Sequence, residues 1–220
     1  MKGAKKRIGG IIKILRKNYS HSRTALQFET PLQILVSTIL SAQCTDEKVN
    51  EIIPSLFRKY RNAKDFASAD KEKLEEEIRS TGFFRNKARS IINASKKIVD
   101  DFEGVVPEKM EDLLKLPGVA RKTANIVLSS AFRKAEGIAV DTHVRRLAQR
   151  LGLSKEKDPD KVERDLMSFV PKKEWLDFNY MLVNHGRKVC QARKPNCPSC
   201  VINHLCPSAE DFYPDIKLNP

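Results

Sequence analysis

Apolar side chains recur at helical spacing through most of the chain. After Thr30-Pro31-Leu32-Gln33 the sequence is apolar on nearly every side, as in a helix that crosses a hydrophobic core. This start has a capping threonine, a proline at the first helical position and a glutamine at the third. We predict a core helix from Pro31 to about Ala42 and a second helix that starts at Thr45 or Asp46, with Asp46 as the expected cap.

The same spacing predicts helices elsewhere, and no segment shows convincing strand-like alternation. The basic segment Lys2–Lys17 is expected to form an amphipathic helix that packs on the C-terminal part of the chain. Other helices are expected around Leu74–Ile78 and over Asn86–Phe102, Asp158–Phe169 and Lys172–Val189. With roughly ten helices and no internal repeat, the fold is predicted to be all-α.

A helix-hairpin-helix is predicted near the middle of the chain. A short helix with Leu113, Leu114 and Leu116 on its apolar side precedes the turn signal Pro117-Gly118, and helical spacing restarts by Ala124. Gly118 lets the backbone approach a ligand closely, and the N–H groups that open the second helix have no partners within that helix. Such a tip suits a phosphate oxygen, so the hairpin is a candidate clamp on a nucleic-acid backbone.

Lys122 and Asp141 are candidates for chemistry, although each has an ordinary structural explanation. Lys122 lies in the first turn of the second hairpin helix, where the helix dipole and Arg121 both favour an uncharged, nucleophilic amine. Asp141 precedes a new apolar periodicity, which is the position of a helix N-cap and of an ionised carboxylate. Alternatively, Lys122 is a solvated lysine and Asp141 only caps its helix. Brought together, the two would combine an activated amine with an acid-base partner.

Two aromatic residues follow the predicted helix stop at Thr81-Gly82. Phe83 and Phe84 precede the cations Arg85 and Lys87. Core filling is the ordinary explanation for such aromatics, but a loop aromatic beside basic residues is also how proteins wedge into a base stack.

The charge balance indicates a polyanionic partner. The chain has 41 Lys and Arg against 28 Asp and Glu, a formal net charge of +13, so nucleic acid or an anionic membrane surface is expected. No apolar run approaches the roughly 18 residues that span a bilayer, so a soluble, cytoplasmic protein is expected. Arg193 and Lys194 lie on a short loop between two cysteines, and we favour phosphate contacts for them over a solvated face.

Four of the five cysteines fall close together near the C-terminus. Cys190, Cys197, Cys200 and Cys206 are separated by six, two and five residues, and four thiolates this close can converge on one centre. This clustering favours a metal in a reducing compartment over a disulfide framework. Zinc is the metal that four cysteines generally suggest. However, structural zinc modules usually have two closely spaced cysteine pairs, and only one such pair is present here. Cys44 is expected to be a buried free thiol.

Three motifs give the chain a specific resemblance. Leu116-Pro-Gly-Val-Ala-Arg-Lys-Thr-Ala-Asn125 and Val140-Asp-Thr-His-Val144 closely resemble the helix-hairpin-helix DNA glycosylase superfamily, specifically its endonuclease III branch, and Leu40–Asp46 matches that family's Leu-Ser-Ala-Gln-x-Thr-Asp pattern. The family excises oxidised pyrimidines from duplex DNA and nicks the strand at the abasic site, so the resemblance implies this role in base excision repair. The family hairpin usually has glycine where this chain has Ala120, and the extra methyl group is expected to affect the tightness of phosphate contact.

The resemblance also implies roles for individual residues. It carries the family's catalytic lysine onto Lys122 and its catalytic aspartate onto Asp141. The glutamine that fills the space left by the flipped nucleotide falls on Gln43, and the apolar wedge falls on Phe83. The cysteine spacing is that of the family's iron-sulfur loop, which implies a 4Fe-4S cluster rather than zinc. DNA contacts at the hairpin tip are expected from Gly118, Ala120 and Arg121.

The family's two lobes imply a domain division. Residues 22–133 would form a six-helix barrel with the helix-hairpin-helix, and residues 1–21 and 134–220 a discontinuous iron-sulfur cluster domain, with the active cleft between them. The implied partner is double-stranded DNA that contains damaged bases or abasic sites, bound by a monomer.

Two other functions remain open from the sequence. A monofunctional mismatch or adenine glycosylase of the same superfamily would generally lack a lysine at the position of Lys122. A non-catalytic iron-sulfur DNA-binding module would explain the charge and the cysteines, but it would leave Lys122 and Asp141 without a purpose. His143 and His185 are interpreted as hydrogen-bonded structural residues.

Overall fold

The computed structural model describes residues 3–20, 23–216 and 218, and every regular element in these residues is helical. The all-α prediction is therefore confirmed. Two short α-helices, α4 (Ala63–Ala67) and α12 (Ala209–Phe212), were not predicted, because they are too short to show a periodicity. The α-helices are α1 (Ala4–Asn18), α2 (Pro31–Leu40), α3 (Asp46–Lys59), α4 (Ala63–Ala67), α5 (Lys71–Glu77), α6 (Phe84–Asp101), α7 (Met110–Leu113), α8 (Arg121–Ala131), α9 (Thr142–Arg150), α10 (Pro159–Phe169), α11 (Trp175–Lys188) and α12 (Ala209–Phe212).

The chain forms two units, each with its own hydrophobic core. One unit is Thr24–Lys134, which holds α2 to α8, and the other combines Met1–Arg23 with Ala135–Pro220. We call them the hairpin unit and the cysteine unit. That they are the barrel and iron-sulfur domains of the family stays a prediction. Lys2 and Ser22, where the first helix and the barrel were expected to begin, lie outside the described residues.

The start of α2 forms as the sequence predicts. Thr30 Oγ1 accepts the Gln33 backbone N–H at 3.2 Å, and proline occupies the first helical position. The Gln33 side chain accepts the Glu29 N–H at 2.6 Å, one residue earlier than in a standard capping box. Because Ile34–Leu40 are all buried, α2 is the core helix that was expected, although it ends two residues early.

The N-terminal helix packs within the cysteine unit. Ile8, Ile11, Ile12 and Leu15 are buried, and α1 contacts α10 and α11. The Arg7 guanidinium adds a polar connection, since it donates to the Leu151 carbonyl at 3.0 Å. The predicted packing of the first helix on the C-terminal part of the chain is confirmed.

Helix starts differ from the prediction at three places. Thr45, not Asp46, caps α3, because its hydroxyl accepts the Lys48 N–H while Asp46 is already helical. The helix expected from Asn86 begins two residues earlier, at Phe84. The helix expected from Lys172 begins as a 3-10 turn and becomes α-helical only at Trp175. None of the described helices is long and apolar enough to cross a membrane.

Candidate functional site

The predicted helix-hairpin-helix consists of α7, a turn and α8. Leu113 and Leu116 are buried at the end of the first helix, and Gly118 takes a φ of 79° in the turn. Leu114, which was expected on the apolar side, is 39% exposed. Adjacent residues of a helix point in different directions, so Leu113 and Leu114 cannot both face the core.

Two features of position 118 require a glycine: its left-handed backbone and its close contact with Ser90. A Cβ added at this position would lie 2.6 Å from Ser90 Cβ and 2.7 Å from Ser90 Oγ on α6. A left-handed φ already disfavours any L side chain. The sequence suggested that glycine allows close approach of a ligand, and the structure adds that it allows close approach of α6.

Gly118→Ala is therefore expected to lower the free energy of unfolding by about 3 kcal/mol, from backbone strain plus overpacking against Ser90. The matched control is Gly104→Ala, because Gly104 has a φ of 82° and an added Cβ would meet nothing within 4 Å. The control should lose only about 1–2 kcal/mol from the backbone term. Chemical denaturation of the two variants measures both, and equal losses would show that the contact with Ser90 is unimportant.

The N-terminus of α8 is open to solvent. Ala120 is the N-cap and supplies no side-chain cap, although its carbonyl accepts the Ala124 N–H at 2.9 Å. Its backbone is extended, with φ −92°, which any residue adopts, so the absence of the usual glycine causes no strain. Lys122 is exposed in the first turn and Arg121 beside it is half-buried. The first-turn amides of such a helix point outward and suit an anion.

Gln43 and Phe83 are exposed residues with left-handed backbones. Their φ angles are 53° and 48°, and the Phe83 side chain is 61% exposed. Non-glycine residues rarely adopt this conformation, and it often marks functional positions. Phe84, by contrast, is half-buried against the core, with the Arg79 and Arg85 guanidinium groups near its ring. Core filling thus explains Phe84 and does not explain Phe83.

Asp141 caps α9 in the cysteine unit. Its Oδ1 accepts the Val144 N–H at 2.8 Å, so the predicted N-cap geometry is confirmed.

The two histidines near these elements are partly or fully buried. His143 Nδ1 lies 3.1 Å from an Arg146 guanidinium nitrogen, and burial lowers the pKa of His143. His185 contacts the Tyr19 hydroxyl at 3.0 Å, and burial lowers its pKa to about 4. Both histidines are hydrogen-bonded, in agreement with their structural interpretation.

All four C-terminal cysteines line one cavity, together with Arg150 and His185. None of them forms a disulfide, and Cys197 and Cys200 are buried. Burial raises the pKa of the Cys200 thiol to about 12 and that of Cys206 to about 11. In the described part of the chain, no three His, Cys, Asp or Glu side chains are grouped so that they could hold one metal ion. Arg193 and Lys194, between the first two cysteines, are exposed.

Two arginines of α9 bind the cysteine loop, and neither was singled out from the sequence. Arg150 donates to Cys190 Sγ at 3.1 Å and to the carbonyls of Gln191 and Ala192 at 2.8 and 2.7 Å. Arg146 donates to the Cys190 carbonyl at 2.9 Å. Their four-residue spacing, which places both on one helix face, was the available signal. The helix that Asp141 caps is thereby attached to the cysteine loop.

Comparisons with known proteins define the class of this chain. Residues 36–172 match the HhH-GPD superfamily of base excision DNA repair proteins. The chain is 54% identical over 210 residues to an endonuclease III of Synechocystis, covering 96% of both chains, and 43% identical to one of Bacillus subtilis, covering 86% of both.

Solved structures give the same result. A trapped endonuclease III–DNA covalent intermediate superposes with a TM-score of 0.89 at 40% identity, covering 94% of this chain and 97% of that one. A thermostable thymine-DNA glycosylase superposes with a TM-score of 0.85 at 25% identity, covering 95% and 99%. The chain belongs to the endonuclease III family of this superfamily.

Proposed function

We propose that this protein is a base excision repair glycosylase and abasic-site lyase that removes oxidised pyrimidines from duplex DNA and then cleaves the strand. Family membership supports the reaction class, and one of the similar solved structures is a covalent endonuclease III–DNA intermediate. The observation that carries the bifunctional assignment is Lys122, an exposed amine in the first turn of the hairpin helix α8. We propose that the protein acts as a monomer in the cytoplasm, or on the nucleoid of a prokaryote.

Base excision requires that the damaged nucleotide leaves the duplex stack. Flipping costs a few kcal/mol and costs least for a lesion that already pairs or stacks badly, which supplies part of the selectivity. In this proposal Gln43 enters the space left by the nucleotide and Phe83 wedges the neighbouring step. Their exposure and left-handed backbones support these roles.

Lys122 would then attack the sugar C1′ through its uncharged amine as the base departs. Asp141 would assist proton transfer and stabilise the positive charge that develops on the sugar. The resulting Schiff base allows β-elimination, which breaks the strand. An enzyme that used only an aspartate-activated water would release the base and leave the strand intact.

The DNA backbone would bind at two sets of groups. Gly118, Ala120 and Arg121 form the open tip of the hairpin, where outward amides suit a phosphate. Arg193 and Lys194 are exposed on the cysteine loop and add two positive charges. These contacts position the duplex without reading its sequence.

The four cysteines are proposed to hold a 4Fe-4S cluster. They line one cavity, which supports a shared centre. A zinc ion needs all its sulfurs at about 2.3 Å from one point, whereas a 4Fe-4S cluster takes each thiolate on a different iron. Only Cys197 and Cys200 form a tight pair of the kind that zinc modules usually have twice, so the spacing favours the cluster over zinc. Bound there, the cluster would cross-link the loop that carries Arg193 and Lys194.

Purified protein is expected to be brown and to contain about four iron atoms per chain. Cys200→Ser should lose the visible absorption and most of the iron, because it removes a buried ligand. Cys44→Ser should keep both, since Cys44 is a free, half-buried thiol of the hairpin unit. A colourless wild-type protein that contains zinc would contradict the cluster.

Borohydride trapping tests the function directly. A duplex with thymine glycol and a duplex with an abasic site should each form a covalent adduct with the wild-type protein, because borohydride reduces the Schiff base to a stable amine. Release of the base without an adduct would indicate a monofunctional mismatch or adenine glycosylase of the same superfamily. Binding without base release would indicate a non-catalytic DNA-binding module.

A further inference from the structure

Lys87 is a buried lysine that links two separate segments of the hairpin unit. It lies on α6 and is only 4% exposed. Its ammonium donates to the Leu40 carbonyl at 2.7 Å and to the Thr81 carbonyl at 2.8 Å. These two acceptors are far apart in sequence, so one side chain fixes the distance between their segments.

Stability alone is a weak reason for this arrangement. Burial of a charged group is expensive, and burial lowers the pKa of Lys87. Among the described ion pairs none involves Lys87, so two carbonyls rather than a carboxylate compensate it. A hydrophobic side chain of similar volume would often be at least as stabilising in such a position. What the lysine adds is a defined geometry between the two acceptors.

Both acceptors stand next to the segments proposed to enter DNA. Leu40 ends α2 three residues before Gln43, and Thr81 precedes Phe83 by two residues. The Lys87 backbone N–H also donates to the Phe83 carbonyl at 3.1 Å. The Leu40 carbonyl is one of those at a helix C-terminus that lack an intrahelical partner, and a cation is favourable there.

We propose that Lys87 is a positioning residue that holds the Gln43 and Phe83 segments at a fixed separation, so that both side chains enter the duplex stack together. This inference rests on the insertion roles proposed above for Gln43 and Phe83. Lys87 itself is buried and is not proposed to touch DNA or the reacting sugar. Two insertion groups that act at one flipped nucleotide need a common register, and a displacement of about 1 Å is enough to impair such a step.

Lys87→Met keeps most of the buried stem and removes both hydrogen bonds. Base excision from paired duplex should fall about 10- to 100-fold. Strand cleavage at an abasic site in single-stranded DNA should stay within about twofold, because no duplex stack must be opened there. Lys96→Met is the matched control, since Lys96 is exposed on the same helix, and it should leave both activities unchanged. Equal losses on the two substrates would overturn the proposal and indicate general destabilisation.

A double-mutant cycle separates positioning from a merely structural role. In a Gln43→Ala, Phe83→Ala background, Lys87→Met should add less than about twofold, because the groups that it positions are already absent. An undiminished effect in that background would overturn the proposal while leaving the insertion roles intact. If Gln43→Ala, Phe83→Ala alone leaves duplex activity unchanged, the insertion roles fail, and the positioning role fails with them.

The cycle does not depend on one variant. Should Lys87→Met fail to give folded protein, Lys87→Gln, which keeps a polar end on a shorter stem, is measured on the same substrates. The melting temperature of each cluster-containing variant is recorded, and all rates are compared below the lowest one. A duplex defect that persists under these conditions and vanishes in single strands supports positioning. A defect that follows the melting temperature on both substrates overturns it.

Discussion

Lys122→Gln is expected to abolish borohydride trapping and to lower strand cleavage by about 10³-fold or more, while DNA affinity stays within a few-fold of wild type. Glutamine keeps much of the length and polarity of lysine, but its amide cannot attack the sugar. The hairpin amides that would hold phosphate belong to the backbone and remain in place. Gel-based cleavage, trapping and binding assays on one abasic duplex measure the three quantities.

Loss of a positive charge is the effect that this experiment must separate from loss of the nucleophile. Lys64→Gln removes a charge from an exposed position in the same unit and should leave trapping unchanged. Lys122→Gln protein that still formed the covalent adduct would show that another amine is the nucleophile. Loss of affinity in parallel with loss of cleavage would reduce Lys122 to a phosphate contact.

Asp141→Asn is expected to lower base excision by about 10²- to 10³-fold with little change in the free energy of unfolding. The side chain has two possible functions, since its Oδ1 caps α9 by accepting the Val144 N–H. Asparagine is as good an N-cap as aspartate, so the substitution removes the charge and keeps the cap. Single-turnover excision and chemical denaturation together measure the two functions separately.

The chain offers a matched control for the cap. Asp158 caps α10 in the same way, with its Oδ1 accepting the Lys161 N–H at 3.0 Å. Asp158→Asn should therefore leave both excision and stability unchanged. If Asp141→Asn retained full excision, Asp141 would be only a cap. If it lost excision in proportion to stability, the loss would have a structural cause.

The sequence correctly predicted those elements whose start and burial depend on residues close together in the chain. The Thr30-Pro31 start of α2, its buried length and the Asp141 cap of α9 all depend on residues close together in the chain, and the structure confirms them. The α6 start at Phe84 was missed because Phe83 adopts a left-handed backbone. Nothing in a phenylalanine predicts that conformation, which residues other than glycine rarely adopt.

The sequence also could not predict which distant groups the charged residues contact in the folded protein. Lys87 follows two aromatics and an arginine, and composition alone places such a lysine on the surface. Its burial becomes visible only when the carbonyls of two distant segments are brought to it. The same holds for Arg150, whose acceptors lie on the cysteine loop. The sequence identified candidate reactive groups from motifs, but it could not identify the residues that position them.

The identity of the trapped residue is the most direct test of the central claim that Lys122 is the nucleophile. Trypsin cleaves after Arg121 and Arg133 but not after an alkylated lysine, so an adduct on Lys122 gives the peptide Lys122–Arg133, in which Lys122 is the only lysine. Mass spectrometry of the borohydride-reduced adduct should find the DNA remnant on this peptide. A remnant on the N-terminal amine or on any other lysine would contradict the proposed mechanism.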